Sequence, residues 1–292
     1  MKKFELTAEF VTNVFGKKLF RIKALVAFGD VEKGELGGFI EKEGNLSHSG
    51  NAWVSGNARV YGNARVSGNA RVSGDAWVSD DARVYGDAQV SGDAWVSGDA
   101  WVSGNAQVSG DAQVYGDAQV SGDARVYGDA RVYSNARVSG NAQVSGDAWV
   151  YGDAQVSGNA QVSGDAWVSG NAQVSGDAQV SGDAQVSGDA RVYGDARVYS
   201  DARVSGDARV YGNADYAVVT GFGRYFRTTT FFRCKDKILR VQCGCFYGDL
   251  AQFREIVKKT HGDSKYAKEY LAIADLMELH FSDKEEKQET DE

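Results

Sequence analysis

A six-residue period constrains this chain more than any other feature. From Gly50 to Tyr211 the sequence reads G-[D/N]-A-x-V-[S/Y] without insertion or deletion, and its valines run six apart from Val54 to Val210. The leading glycine is replaced three times, by Asp80, Ser134 and Ser200. Fixed self-similarity of this kind specifies a stack of like units, each touching its neighbours, rather than an irregular core. Within a unit, Ala and Val are two apart and share one side of a strand. The x residue (Arg, Gln or Trp) and the following Ser or Tyr face outward. Gly followed by Asp or Asn supplies a corner. So short a strand buries nothing alone. Stacked, the Ala and Val rows make one narrow, continuous core.

An aliphatic residue followed four positions later by a small one, repeated every six, resembles the hexapeptide-repeat left-handed parallel β-helix. All 27 units fit, covering 162 of the 292 residues. The resemblance implies an all-β triangular prism with three units per coil, hence about nine coils and, from the spacing of neighbouring strands, a rod roughly 45 Å long. Its left-handed turn is an exception to the usual crossover rule.

Three units per coil place every third unit on one face. One face then collects Arg59, Trp77, Trp95, Gln113, Arg131, Trp149, Trp167, Gln185 and Arg203, with Tyr61, Tyr115, Tyr133 and Tyr151 beside them. Four of the six tryptophans fall there; Trp53 and Trp101 fall on the other faces. The corner entering this face holds Asn57, then Asp in eight consecutive coils, among them Asp93, Asp111 and Asp129. Aromatics in a row suit a contact surface; block duplication of a few unit types gives the same pattern. Stacked carboxylates recruit cations or repel one another; equally, each Asp serves only its own corner as an Asx turn. The candidate binding residues are Trp77, Trp95, Trp149, Trp167, Tyr115, Tyr133, Tyr151, Asp93, Asp111 and Asp129.

A solenoid needs caps, because its end coils expose core and unpaired strand edges. Residues 1–49 read as an N-terminal β cap: KFELTAEF, a turn at Gly16-Lys17, and KLFRIKALVAF, with Ile40 and Leu46 already holding the Ala register. The repeat spans 50–214. Residues 215–281 read as an α+β module, with a hairpin turning at Lys235-Asp236-Lys237 and a capping box at Asp249 and Gln252. That box opens a helix with Leu250, Phe253, Ile256 and Val257 on one face, ended by His261-Gly262. A second helix, about Ser264 to Phe281, carries Tyr270, Leu271, Ala274, Met277 and Leu279. The tail 282–292 has the composition of a disordered segment. Gly38 to Glu41 and Asn45 to Ser47 before the repeats resemble hexapeptide-repeat proteins of phages and prophages. So do Thr229 to Arg233, Cys243 to Phe246, His261 to Asp263 and Tyr270-Leu271 after them. That resemblance implies a mobile-element origin and brings no assigned reaction.

Acyltransferases and metal-dependent hydratases on this fold need histidines between coils. Here His48, His261 and His280 all lie outside the 27 units, so no catalytic residue is expected, and no cofactor or metal. Cys243-x-Cys245, with Cys234 or His261, is a weak zinc pattern; the same cysteines sharing a strand face are simply packed. A net charge of −8 argues against duplex nucleic acid and anionic membranes as partners, and three cysteines suit a reducing cytoplasm of a host cell. The expectation is a non-catalytic scaffold: a rigid spacer or docking surface for a protein of host or phage, or a homo-oligomer through the aromatic face. The alternatives are an inhibitor that sequesters a host defence protein or a small molecule, and an acyltransferase relative.

Overall fold

A computed structural model describes residues 2–282. Each repeat unit forms one two-residue strand, x-Val, from Trp53–Val54 to Arg209–Val210. Strands 18 residues apart pair in parallel, Trp77 with Trp95 and Val78 with Val96 for example. The pairing builds three sheets, two of nine strands and one extended to twelve. The chain is an all-β solenoid of about ten turns, with a small α+β module at its end. Repeat Ala and Val side chains are fully buried along the rod in one unbroken cluster. Each buried Val contributes roughly 1.5–3 kcal/mol of transfer free energy, and the backbone between coils is hydrogen bonded, Trp95 N–H to Ala112 O at 2.9 Å and Ser97 N–H to Val114 O at 3.0 Å.

The N-terminal strands Phe4–Thr12 and Lys18–Ala24 form the expected hairpin. It pairs onto Leu36–Ile40 and so continues the aromatic sheet past the first coil. Two expectations fail here. Ile40 and Leu46 pair with Val60 and Val66 and hold the Val row, not the Ala row. The corner between Leu46 and Val54 spans eight positions instead of six, which shifts everything before it by two. Buried Asn45 stitches this first coil to the next, its Nδ2 donating to Gly62 O and Ala64 O at 3.2 and 2.9 Å. Trp53, an outward x position in the repeat, is only 2% exposed. The loop before Leu36 folds over it, with Phe28 edge-on at 5.5 Å. Lys3 closes the same end: its Nζ donates to Ala52 O at 2.7 Å, and burial pulls its pKa down to about 8.

At the other end, Tyr216–Val219, Thr229–Arg233, Leu239–Cys243 and Phe246–Asp249 form a four-stranded antiparallel meander. The hairpin at Lys235–Lys237 is as read from sequence; the two outer strands are additional. Tyr216, Phe232 and Cys234 continue the solenoid core, and Thr230 Oγ1 accepts from Arg203 N–H at 3.0 Å. Burial pushes the Cys234 thiol up to about 12 and holds the Tyr216 and Tyr247 phenols well above their ordinary value. Helix α1 (Leu250–His261) opens on the Asp249/Gln252 capping box and ends at Gly262. Helix α2 runs Lys265–Ser282. The buried stripes differ from expectation: Ile256 and Leu279 are exposed, while Ala267, Ile273 and Phe281 are buried. Cys243 and Cys245 do not share a strand face. Cys243 pairs with Phe246, so Gly244 and Cys245 form the turn itself. The expected disordered tail lies outside the described residues from 283 onward; Ser282 is the last residue of α2.

Candidate functional site: an aromatic face on the rod

The corner chemistry fixes what this face displays. Each coil turns at a residue with φ near +70°, such as Gly92, Gly110 and Gly128, so every x-Val-[S/Y] segment leaves its corner in the same register. Like side chains therefore stack directly above one another. Strand order brings Arg59, Trp77, Trp95, Gln113, Arg131, Trp149, Trp167, Gln185 and Arg203 into one sheet.

On that sheet the sequence-read residues meet as ladders. Trp77 and Trp95 stack at 5.0 Å between ring centroids with planes 8° apart. Trp149 and Trp167 stack at 5.4 Å and 13°. Tyr133 is sandwiched between Tyr115 at 4.9 Å and Tyr151 at 5.0 Å, and its edge meets Trp149 at 6.2 Å. Arg59 and Arg131 cap the two tryptophan pairs, with guanidinium carbons 5.1 and 4.9 Å from the rings of Trp77 and Trp149. Offset-stacked rings contribute about 0.5–1.5 kcal/mol per pair beyond area burial. Trp95 and Trp167 still leave 48% and 40% of their surface to solvent. The face is thus ordered by its own stacking and remains open outward.

Asp93, Asp111 and Asp129 lie exposed at the corner that leads into this sheet. Elsewhere the corner column contains asparagines, and these bridge coils: Asn105 Nδ2 donates to Asp123 Oδ1 at 2.8 Å and Asn171 Nδ2 to Asp189 Oδ1 at 2.9 Å. After Asn57 the column beside the aromatic face has only Asp, so it lacks such donors. Among the described residues no group of His, Cys, Asp and Glu has the arrangement of a metal site.

Two residues of this surface escaped the sequence reading. The hairpin tip Val14-Phe15, 77% and 75% exposed, sits above Tyr61, Trp77 and Trp95 and encloses with them a groove of about 220 Å³. The signal was present as two apolar residues inside the turn Asn13–Gly16, where polar residues are the rule. Tyr61 itself is buried at the root of this groove with Leu19 and Phe39.

With this geometry in place, comparison with known proteins gives two findings. Residues 39–143 match a family model described as bactofilin, polymer-forming cytoskeletal. Stretches at 136–152, 142–158, 154–176, 172–188, 184–200 and 202–214 match a YdcK β-solenoid repeat. No curated protein matches the chain. The protein is therefore a parallel β-helix similar over residues 39–143 to a polymer-forming cytoskeletal domain and, over the later coils, to a β-solenoid repeat.

Proposed function

We propose that the protein is a non-catalytic structural scaffold, a rigid rod that docks side by side with a second copy of itself through the Trp–Tyr face. The observation that carries this reading is the order of the outward row, which runs Arg, Trp, Trp, Gln, Arg, Trp, Trp, Gln, Arg from Arg59 to Arg203. The tryptophans are symmetric about the point between Gln113 and Arg131. Two copies packed face to face and antiparallel bring Trp77 of one opposite Trp167 of the other, and Trp95 opposite Trp149. A two-fold pair needs this self-complementarity. The same row repeats after four coils, so copies shifted by four coils also match tryptophan to tryptophan, a route from pairs to longer arrays. Similarity to a polymer-forming domain supports assembly. Lateral contact is favoured over end-on stacking because Phe4 and Ile22 cover one end of the core and Phe232 the other. The C-terminal module then rides on the scaffold as the part available to other partners, in a reducing cytoplasm that suits its free thiols. The segments Gly38 to Glu41 and Thr229 to Arg233 support a phage or prophage source.

Electron microscopy of the full-length protein tests this reading. Rods associated along their long sides are the expected result; rods that remain single at high concentration, or join only end to end, contradict it.

A further inference from the structure

The C-terminal module holds a second concavity, which the scaffold reading does not use. The loop Gly221–Arg227 reads G-F-G-R-Y-F-R and leaves Phe222, Tyr225 and Phe226 exposed. It is clamped rather than loose. Gly223 lies at φ +74° and so close to α2 that a Cβ there would fall 2.1 Å from Tyr270 Oη. Its N–H donates to Glu269 Oε2 at 3.0 Å. Held this way, the loop places Arg224 and Arg227 over the Tyr225 ring, with guanidinium carbons 5.5 and 5.0 Å from its centroid. Behind them is a cavity of about 200 Å³ walled by Phe246, Phe253 and Tyr270, with His261 at the rim.

Charge and shape agree on what fits. Residues 212–282 carry 11 Lys and Arg against 8 Asp and Glu, a net of +3, whereas Gly50–Tyr211 carry 11 Arg against 19 Asp, a net of −8. The module is therefore positive where the repeats are negative, and two of its eleven cations, Lys258 and Lys259, lie in the last turn of α1. Neither Arg224 nor Arg227 has an ion pair among the described residues. Guanidinium forks match phosphate oxygens, and a wall of aromatic rings selects a flat ring over a flexible chain. We propose that this cavity binds an aromatic anion of nucleotide size, its planar base against the aromatic wall and its phosphate on Arg224 and Arg227.

Calorimetric titration of the full-length protein with 5′-AMP, adenosine and inorganic phosphate tests it. AMP is expected to bind at least about tenfold more tightly than either adenosine or phosphate, the loss of one charge-assisted contact set being worth roughly that factor. The double variant Arg224→Ala/Arg227→Ala, altered only at exposed side chains, is expected to weaken AMP by more than about tenfold with an unchanged melting curve. Ile256→Trp, at the mouth of the cavity, is expected to block AMP without changing charge. AMP binding no better than phosphate, or undiminished in both variants, overturns the proposal.

Discussion

At the scale of single residues, one dihedral angle governs the rod. A corner at positive φ costs a residue with a Cβ on the order of 1–2 kcal/mol, and glycine avoids that cost. Close approach adds to it: a Cβ on Gly110 would lie 3.0 Å from the Gly128 nitrogen one coil on. The three replaced corners, Asp80, Ser134 and Ser200, nevertheless keep φ between 57° and 59°. Asp80 recovers part of the cost, since its Oδ2 accepts from Gly98 N–H at 3.2 Å. Ser134→Gly is therefore expected to raise stability by about 1 kcal/mol in a denaturant melt, and Asp80→Gly by less. The thiols separate equally clearly. Exposed Cys245 is expected to react promptly with a thiol reagent, while Cys234, buried and held protonated to about pH 12, reacts only after its end of the rod opens; mass spectrometry of the labelled sites reads this order. The corners were legible in the sequence because glycine marks them. Trp53 was not, because the residue that covers it, Phe28, comes from a loop outside the period, and no spacing rule links the two.

At the scale of elements, the caps decide how the stack ends. Phe232 is fully buried against the last coils, so Phe232→Ala is expected to cost about 3–5 kcal/mol. In a solenoid such a loss stays local: hydrogen exchange should rise in the last coils and leave those around Val132 unchanged, and a uniform rise would argue against a nearest-neighbour stack. Alkaline pH acts on the same end. The Cys234, Tyr216 and Tyr247 pKa values are raised by burial, so the unfolded chain gives up these protons first. Stability they supply is whole below about pH 9 and declines as pH rises toward the folded values. Lys3 has the opposite sign: with its pKa lowered to about 8, the N-terminal end gains stability between about pH 8 and 10.5. Unfolding followed from pH 8 to 11 should therefore start at the C-terminal module, and Tyr216→Phe should delay it. The repeat strands and both hairpins were readable from alternation and turn residues. The outer strands Tyr216–Val219 and Phe246–Asp249 were not, because four residues carry too little periodicity to distinguish a strand from a loop. The helical stripes erred at Ile256 and Leu279 for a related reason: spacing gives a face, and only packing against the meander says which edge of it is covered.

At the scale of the molecule, perfect periodicity turns a row in the sequence into a column in space. That is why the candidate face could be assembled residue by residue before any coordinate: three units per coil and no insertion leave only one way to sort the tryptophans. The sorting could not supply the hairpin tip Val14-Phe15, which reaches the face from outside the repeat, nor the cavity under Gly221–Arg227, which two strands and both helices build together with that loop. Assembly through this face is most directly tested by sedimentation velocity on face-specific variants. Trp95→Gln/Trp167→Gln removes the two most exposed tryptophans of the aromatic face, and Trp101→Gln removes a comparably exposed ring from another face. The wild-type protein and Trp101→Gln are expected to sediment as dimers or larger species while Trp95→Gln/Trp167→Gln sediments as a monomer; identical sedimentation of all three would contradict a scaffold assembled through that face.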